Sequence, residues 1–298
     1  MSKQAIVSVP RFAPFFTPIF VAVDKGFLAE EGIEGKVVTP TGIERLLAGE
    51  VDFMFGSPSR GYFLRESGAK LICGHSTRES SHVLMVRPEI EHASQLEHIL
   101  LSGADGTGGS RMVNELKNIL ALNDVQLEAS SIEIQGVEGS HKEQWQMLQE
   151  GIGDAATLGA PWWIFAAQKG YRNLGHEQSF TMSASGSGLY TRPHTIESDP
   201  DLVGAVVRAY VRAMRYCVEN VEGTIETMMK YSREWGVDSR EIALAAHQDV
   251  SPYWRVELDL DAIRELMEKT AVKEGRPALS LDEVSDLQFL NGALKALG

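Results

Sequence analysis

Apolar and polar positions along this chain follow two rhythms that take turns. Short apolar runs of strand length stand at Ala5–Val9, Lys36–Thr39, Val51–Phe55, Leu71–Gly74 and His82–Val86. Between them the spacing becomes helical over Phe15–Glu31, Gly42–Ala48 and Gly61–Ser67, with Gly32 placed as a C-cap and Thr41 or a neighbour as an N-cap. The middle of the chain repeats the alternation. Strands are predicted at Ile99–Ser102, Ser131–Ile134 and Ala155–Leu158, and helices at Arg111–Leu122, Lys142–Gln149 and Trp162–Lys169. Strands separated by helices predict mostly parallel sheets with helices on their faces. From Pro200 onward the pattern is helical almost throughout; Leu202, Val206, Ala209, Val211 and Met214 mark one amphipathic stripe.

One segment recurs. Leu46-Leu47-Ala48-Gly49-Glu50-Val51-Asp52 runs into a strand and Gly56-Ser57-Pro58, and Gln149-Glu150-Gly151-Ile152-Gly153-Asp154 runs into a strand and Gly159-Ala160-Pro161. Gly68 and Gly170 close the two copies. Two like segments predict two lobes built on one plan, with a ligand cleft expected between them. The expected division is residues 1–87 plus 191–298 as the first lobe, with its helical C-terminal part, and 88–190 as the second. A serine- and glycine-rich stretch from Phe180 to Tyr190 is expected to carry the chain back. Asp52 and Asp154 are read as turn or capping residues rather than ligand contacts.

Residues Val21-Ala22-Val23-Asp24-Lys25-Gly26-Phe27-Leu28-Ala29-Glu30-Glu31-Gly32-Ile33 resemble the first helix of the NMT1/THI5-like family of nitrate, sulfonate and thiamine-precursor binding proteins. The pattern ending at Asp52, the segment Gly151 to Pro161 and the helix start Asp199-Pro200-Asp201-Leu202-Val203 are similar to further motifs of that family. The resemblance implies an α/β, two-lobed type 2 periplasmic-binding-protein fold, each lobe a mixed, mostly parallel sheet flanked by helices. It also implies a receptor that hands a small solute to an ABC permease if the chain is exported. Related folds act as enzymes in decarboxylation of aromatic acids, menaquinone-precursor synthesis and pyrimidine synthesis for thiamine. The cysteine-rich iron motif of the last group is absent.

Composition narrows the partners. With 28 basic and 41 acidic residues among 298, the formal charge is −13, so no global field favours nucleic acid and any anion site is local. No apolar stretch approaches the ~20 residues of a membrane span. Cys73 and Cys217 stand apart in apolar contexts, and no His/Cys/carboxylate spacing forms a metal motif, so no metal and no cofactor are expected. The amino terminus carries no signal-peptide pattern, which predicts a cytoplasmic protein as the chain stands and a periplasmic one if a leader has been removed.

In an open α/β sheet the ligand lies beyond the carboxyl ends of the strands. That rule selects Arg11 and Phe12 after the first strand, Thr41 after the second, and Ser57, Ser59 and Arg60 after the third. In the second lobe it selects Gly109, Ser110, Arg111, Ser140 and Trp162. Hydroxyls and arginine forks suit a carboxylate or another anion, and Phe12 and Trp162 suit an aromatic one. His75 and His141, one per lobe, are the groups able to exchange a proton if the chain is an enzyme. Three readings therefore stay open: a solute-binding protein for a small anionic organic solute, with or without an aromatic group; a cytoplasmic decarboxylase, lyase or biosynthetic enzyme on an aromatic or heterocyclic carboxylate; and a cytoplasmic ligand sensor without catalysis.

Overall fold

The computed structural model describes residues 2–56, 67–77, 82–102, 111–137, 141–176 and 185–298. The chain divides into two compact units, Met1–Arg78 with Met182–Gly298, and Glu79–Thr181. These boundaries lie before the expected 87/88 and 190/191, and strand pairing gives the reason. Strand β5 (Val83–Val86) is hydrogen-bonded to β8 (Ala155–Leu158) and β9 (Arg172–His176), so it belongs to the second sheet. Strand β10 (Ser185–Thr191) pairs with β3 (Phe53–Gly56) and β4 (Lys70–Thr77) of the first.

Both sheets have five strands in the same connection order. In unit 1 the order is β2-β1-β3-β10-β4, with β1 (Lys3–Ser8) and β2 (Ile33–Val38) parallel to each other and β10 the one antiparallel member. In unit 2 it is β7-β6-β8-β5-β9, with β6 (His98–Ser102) and β7 (Glu133–Val137) parallel and β5 antiparallel. The repeat seen in sequence is therefore a repeat of topology.

The shared acidic residue has the same architectural task twice. Asp154 donates its N–H to the His98 carbonyl (2.7 Å), and its Oδ2 accepts from the N–H groups of Glu97 (3.0 Å) and His98 (2.9 Å). Asp52 likewise donates to the Ile6 carbonyl (2.9 Å) and accepts from the Ile6 N–H (2.8 Å). Each carboxylate thus ties the start of one strand to its parallel neighbour, β3 to β1 and β8 to β6. The second oxygen faces the arginine that directly follows the antiparallel strand: Arg87 donates to Asp154 at 2.8 Å, and Arg192 stands 3.9 Å from Asp52. Both arginines precede a proline, Pro88 and Pro193.

Apolar packing on the sheets follows the stripes read from the sequence. Leu84, Val86, Ile99, Leu101, Leu116, Ile119 and Leu120 form a core of unit 2, and Leu46, Val51, Met54, Leu71, Ile263 and Met267 form one in unit 1. The helix Pro200–Glu219 packs on the helices Thr17–Asp24 and Gln288–Leu297, all within unit 1. The helix expected over 15–31 is broken. A 3-10 turn Pro14–Phe16 leads into Thr17–Asp24, and Gly26, at φ +81°, separates this from the short helix Phe27–Glu30. That left-handed geometry favours a residue without a Cβ. The helix expected over 61–67 lies outside the described residues apart from its last position.

Candidate functional site

In unit 1 the carboxyl ends of the parallel strands gather hydroxyls and aromatic rings. Ser8, the last residue of β1, is fully buried. Its Oγ lies 3.1 Å from Thr41 Oγ1 and 3.3 Å from the Phe53 carbonyl, while Thr41 donates to the Phe55 carbonyl at 3.0 Å. Each hydroxyl has one proton and a carbonyl acceptor of its own, Phe53 for Ser8 and Phe55 for Thr41, so the contact between the two oxygens is shared with those bonds and either can be its donor.

Behind them runs a chain of rings. Phe16 meets Phe55 at 5.9 Å, Phe55 meets Tyr210 at 5.3 Å, and Phe15 lies 4.5 Å from the ring of His75. The indole N–H of Trp254 donates to the Phe15 carbonyl at 3.1 Å, which fixes that turn. His75 is fully buried on β4, and its Nδ1 is 2.8 Å from the Tyr210 hydroxyl. Burial lowers its pKa to about 3, so the ring is neutral across the physiological range. Phe12 packs edge-on against Phe20 at 5.5 Å, and the Arg11 guanidinium lies 5.1 Å from the centroid of Trp235.

In unit 2 the same end of the sheet carries imidazoles. His141 is the first residue of the helix His141–Gln149, and its Nδ1 lies 2.9 Å from Gln144 Oε1 and 3.1 Å from the Thr157 carbonyl. Gln144 is fully buried, and its amide nitrogen donates to the Leu100 carbonyl at 3.0 Å, which turns Oε1 toward His141. Both partners of Nδ1 are acceptors, so in the neutral ring Nδ1 carries the proton and Nε2 is the basic nitrogen. The ring of His82 stands 4.9 Å away. A Cβ on Gly159 would come within 3.2 Å of His82 and 3.6 Å of His141, so this glycine lets both rings close over the strand end. Trp162 is buried and packs on Phe165 at 5.6 Å. Trp163 is half-buried, and its indole N–H has no hydrogen-bond partner among the described residues.

Thr41 and His141 occupy equivalent places. Phe55 and Thr157 stand at the same offset after Asp52 and Asp154, and the carbonyl of each meets a side chain from the segment that follows β2 in one unit and β7 in the other. Sequence reasoning selected both residues without seeing that they match. It missed Tyr210 and Gln144. Tyr210 lies within an apolar helical stripe and reads as core; Gln144, three residues after His141, is a polar side chain on a buried helix face, which was the available signal. Ser57, Ser59, Arg60, Gly109, Ser110 and Ser140 lie outside the described residues. Arg111 opens the helix Arg111–Leu122. Among the described residues no group of three or more His, Cys, Asp or Glu is gathered for a metal.

Two open sheets of one connection order, each with polar side chains at the carboxyl ends of its strands, define the type 2 periplasmic-binding-protein class. Within it, the chain belongs to the NMT1/THI5-like family, whose model matches residues 13–223. Solved structures of similar fold include the desulfurization enzyme DszB in complex with biphenyl-2-sulfinic acid, at 16% identity over 99% of this chain and 100% of that one, with a TM-score of 0.74. The periplasmic aliphatic sulphonate-binding protein SsuA from Escherichia coli is 14% identical over 96% of this chain and 92% of its own, with a TM-score of 0.71. The periplasmic nitrate-binding protein NrtA from Synechocystis PCC 6803 is 12% identical over 99% and 89%, with a TM-score of 0.69. At these identities the likeness speaks to the fold. A comparison with curated protein sequences gave no match.

Proposed function

We propose that this protein is a solute-binding protein of the ABC-import type that takes a small organic anion, a carboxylate or sulfonate bearing an aromatic or apolar group. The observation that carries the reading is the matched pair Thr41 and His141, polar groups held at the carboxyl end of the third strand of each sheet, where open α/β sheets take their ligands. The sulfonate- and nitrate-binding proteins of similar fold support the anion. Aromatic rings beside Ser8 and Thr41 support an apolar body on the ligand. In this reading the partner is an ABC permease and the place of work is the periplasm. Arg11, Phe12, Trp162, Ser57, Ser59, Arg60, Gly109, Ser110, Arg111 and Ser140 are assigned to ligand recognition as part of the same proposal.

A second reading, catalysis, is favoured by one observation: Gln144 and the Thr157 carbonyl hold the basic Nε2 of His141 in place, as a general base requires. That an enzyme, DszB, shares the fold is compatible with it. Thermal-shift screening against alkyl and aryl carboxylates, sulfonates and nitrate, followed by native mass spectrometry, separates the two. A ligand that raises the Tm and is recovered at unchanged mass supports solute binding; one recovered at altered mass makes the protein an enzyme. In the enzyme case His141→Gln abolishes turnover and leaves affinity within about tenfold. In the solute-binding case His141→Gln weakens binding by about tenfold, the loss of the Nε2–H that the charged ring offers to an anion, and Thr41→Val weakens it less, since the Thr41 proton is held by the Phe55 carbonyl.

A further inference from the structure

We propose that His75 is a ligand-recognising hydrogen-bond donor, its neutral ring locked by Tyr210 into the tautomer that offers Nε2–H to a carboxylate or sulfonate oxygen of an aromatic ligand. The ligand half of this rests on the solute-binding reading; the tautomer does not.

The argument starts from counting hydrogens. Nδ1 of His75 and the hydroxyl of Tyr210 are 2.8 Å apart, both residues are buried, and neither has another hydrogen-bond partner among the described residues. If Nδ1–H donated to the hydroxyl, the phenolic proton would be left with no acceptor and Nε2 with no donor, two unsatisfied groups. If the hydroxyl donates to Nδ1, only the Nε2–H is left over. The second arrangement wins, because each unsatisfied buried polar group costs free energy that the other arrangement spares. Burial pushes the Tyr210 phenol well above its ordinary range, so the proton it donates is always present. The ionisable side chains that act on Tyr210, Cys73 and Cys217, are themselves pushed up by burial and stay as thiols. No charge in this group therefore compensates the spare N–H.

Position gives the spare N–H a use. His75 lies near the carboxyl end of β4, parallel to β1 and β3, whose carboxyl ends carry Ser8 and Gly56. Phe15 lies against the imidazole, and Phe55 against the Tyr210 ring. A dry donor walled by aromatic rings, at the end of the sheet where ligands sit, matches an aryl group that arrives with an oxygen acceptor. A neutral donor also binds without taking up a proton, so His75 adds no pH dependence to affinity between pH 5 and 8.

The test is long-range 1H–15N NMR of the full chain labelled at histidine, with benzoate, benzenesulfonate and nitrate as probes. The expected spectrum shows His75 as the neutral Nε2–H tautomer throughout pH 5–8; the Nδ1–H tautomer, or titration in that range, overturns the proposal. A probe that raises the Tm is expected to move the His75 Nε2–H signal, and benzoate or benzenesulfonate to act more strongly than nitrate. Stabilisation by a probe with His75 unmoved overturns the role of His75 and leaves solute binding standing. Stabilisation by none of the three overturns the ligand role along with solute binding for these acids. Tyr210→Phe keeps the ring and removes the hydroxyl. It is expected to weaken the stabilising probe about fivefold and to introduce the other tautomer, whereas unchanged affinity and an unchanged tautomer would overturn the lock.

Discussion

Asp154 shows what a carboxylate contributes when it serves as architecture. Burial raises the pKa of its carboxyl, but hydrogen bonds from the Glu97 and His98 amides and from Arg87 outweigh this and hold it below the usual carboxylate value. A folded-state pKa below the unfolded one means the stabilisation is fully present above about pH 4 and is lost as pH falls through the depressed value. Asp24, held down against burial by Lys230 and Thr227, acts in the same direction. Urea titrations are therefore expected to show stability declining once pH falls below the ordinary histidine pKa, where unfolded His75 takes up a proton that the buried ring refuses, and a steeper fall below pH 4 as Asp154 and Asp24 are neutralised. Asp154→Ala, which strands two backbone N–H groups and Arg87, is expected to lose about 2–3 kcal/mol at pH 7. Asp52→Ala is expected to lose less, since one amide depends on Asp52 and Arg192 stands farther off. Equal losses at the two positions would remove the distinction. The architectural role of both residues was legible, because an acidic residue between a glycine turn and a strand has backbone amides within reach. The role of Gln144 was less so, because its only signal in the sequence is a place three residues after His141, and burial of that helix face came from the structure.

Among the elements, strands with short apolar runs flanked by glycine were read well, whereas β2 (Ile33–Val38) was placed three residues late and β9 (Arg172–His176), whose sequence is mostly polar, was not foreseen; the long helix over 15–31 was read badly because Gly26 lies inside an otherwise periodic stretch. The pairing of β4 with β10 was beyond reach, since a serine- and glycine-rich strand has little periodicity to declare its register. That pairing depends on Gly74. A Cβ there would fall 2.4 Å from the Ser187 carbonyl and 2.7 Å from the Gly188 Cα, both backbone atoms, at a φ of +145° that side chains rarely adopt. Gly74→Ala is expected to destabilise unit 1 by about 2–4 kcal/mol, seen as a lower Tm, and to broaden the NMR signals of the adjacent His75. A Tm within a degree of wild type would mean the strand pair yields more easily than this geometry implies. At the start of the helix Pro200–Glu219, Asp199 accepts from the Leu202 N–H at 3.1 Å, and Asp199→Ala is expected to cost about 1 kcal/mol in the same assay.

At the scale of the whole molecule, unit 2 is one continuous stretch while unit 1 is made from both ends of the chain. Unit 2 has its own five-stranded sheet and its own apolar core. A fragment spanning 79–181 is therefore expected to fold alone, with a cooperative urea transition and a far-UV spectrum of mixed helix and strand; a non-cooperative transition would show that unit 2 needs the rest of the chain. Family and two-lobed class were legible from the order of loose motifs. The exact crossings were not, because β5 and β10 each follow the crossing into their sheet, and apolar content alone does not say which sheet a strand will join. The equivalence of Thr41 and His141 has a consequence for descent. A chain that builds one sheet twice satisfies its folding requirement with residues such as Asp52 and Asp154, and leaves the two tips to diverge separately. In the solute-binding reading proposed above, selection can then change what is recognised at one tip while the other holds its preference, so that a lineage reaches a new ligand through intermediates that all fold.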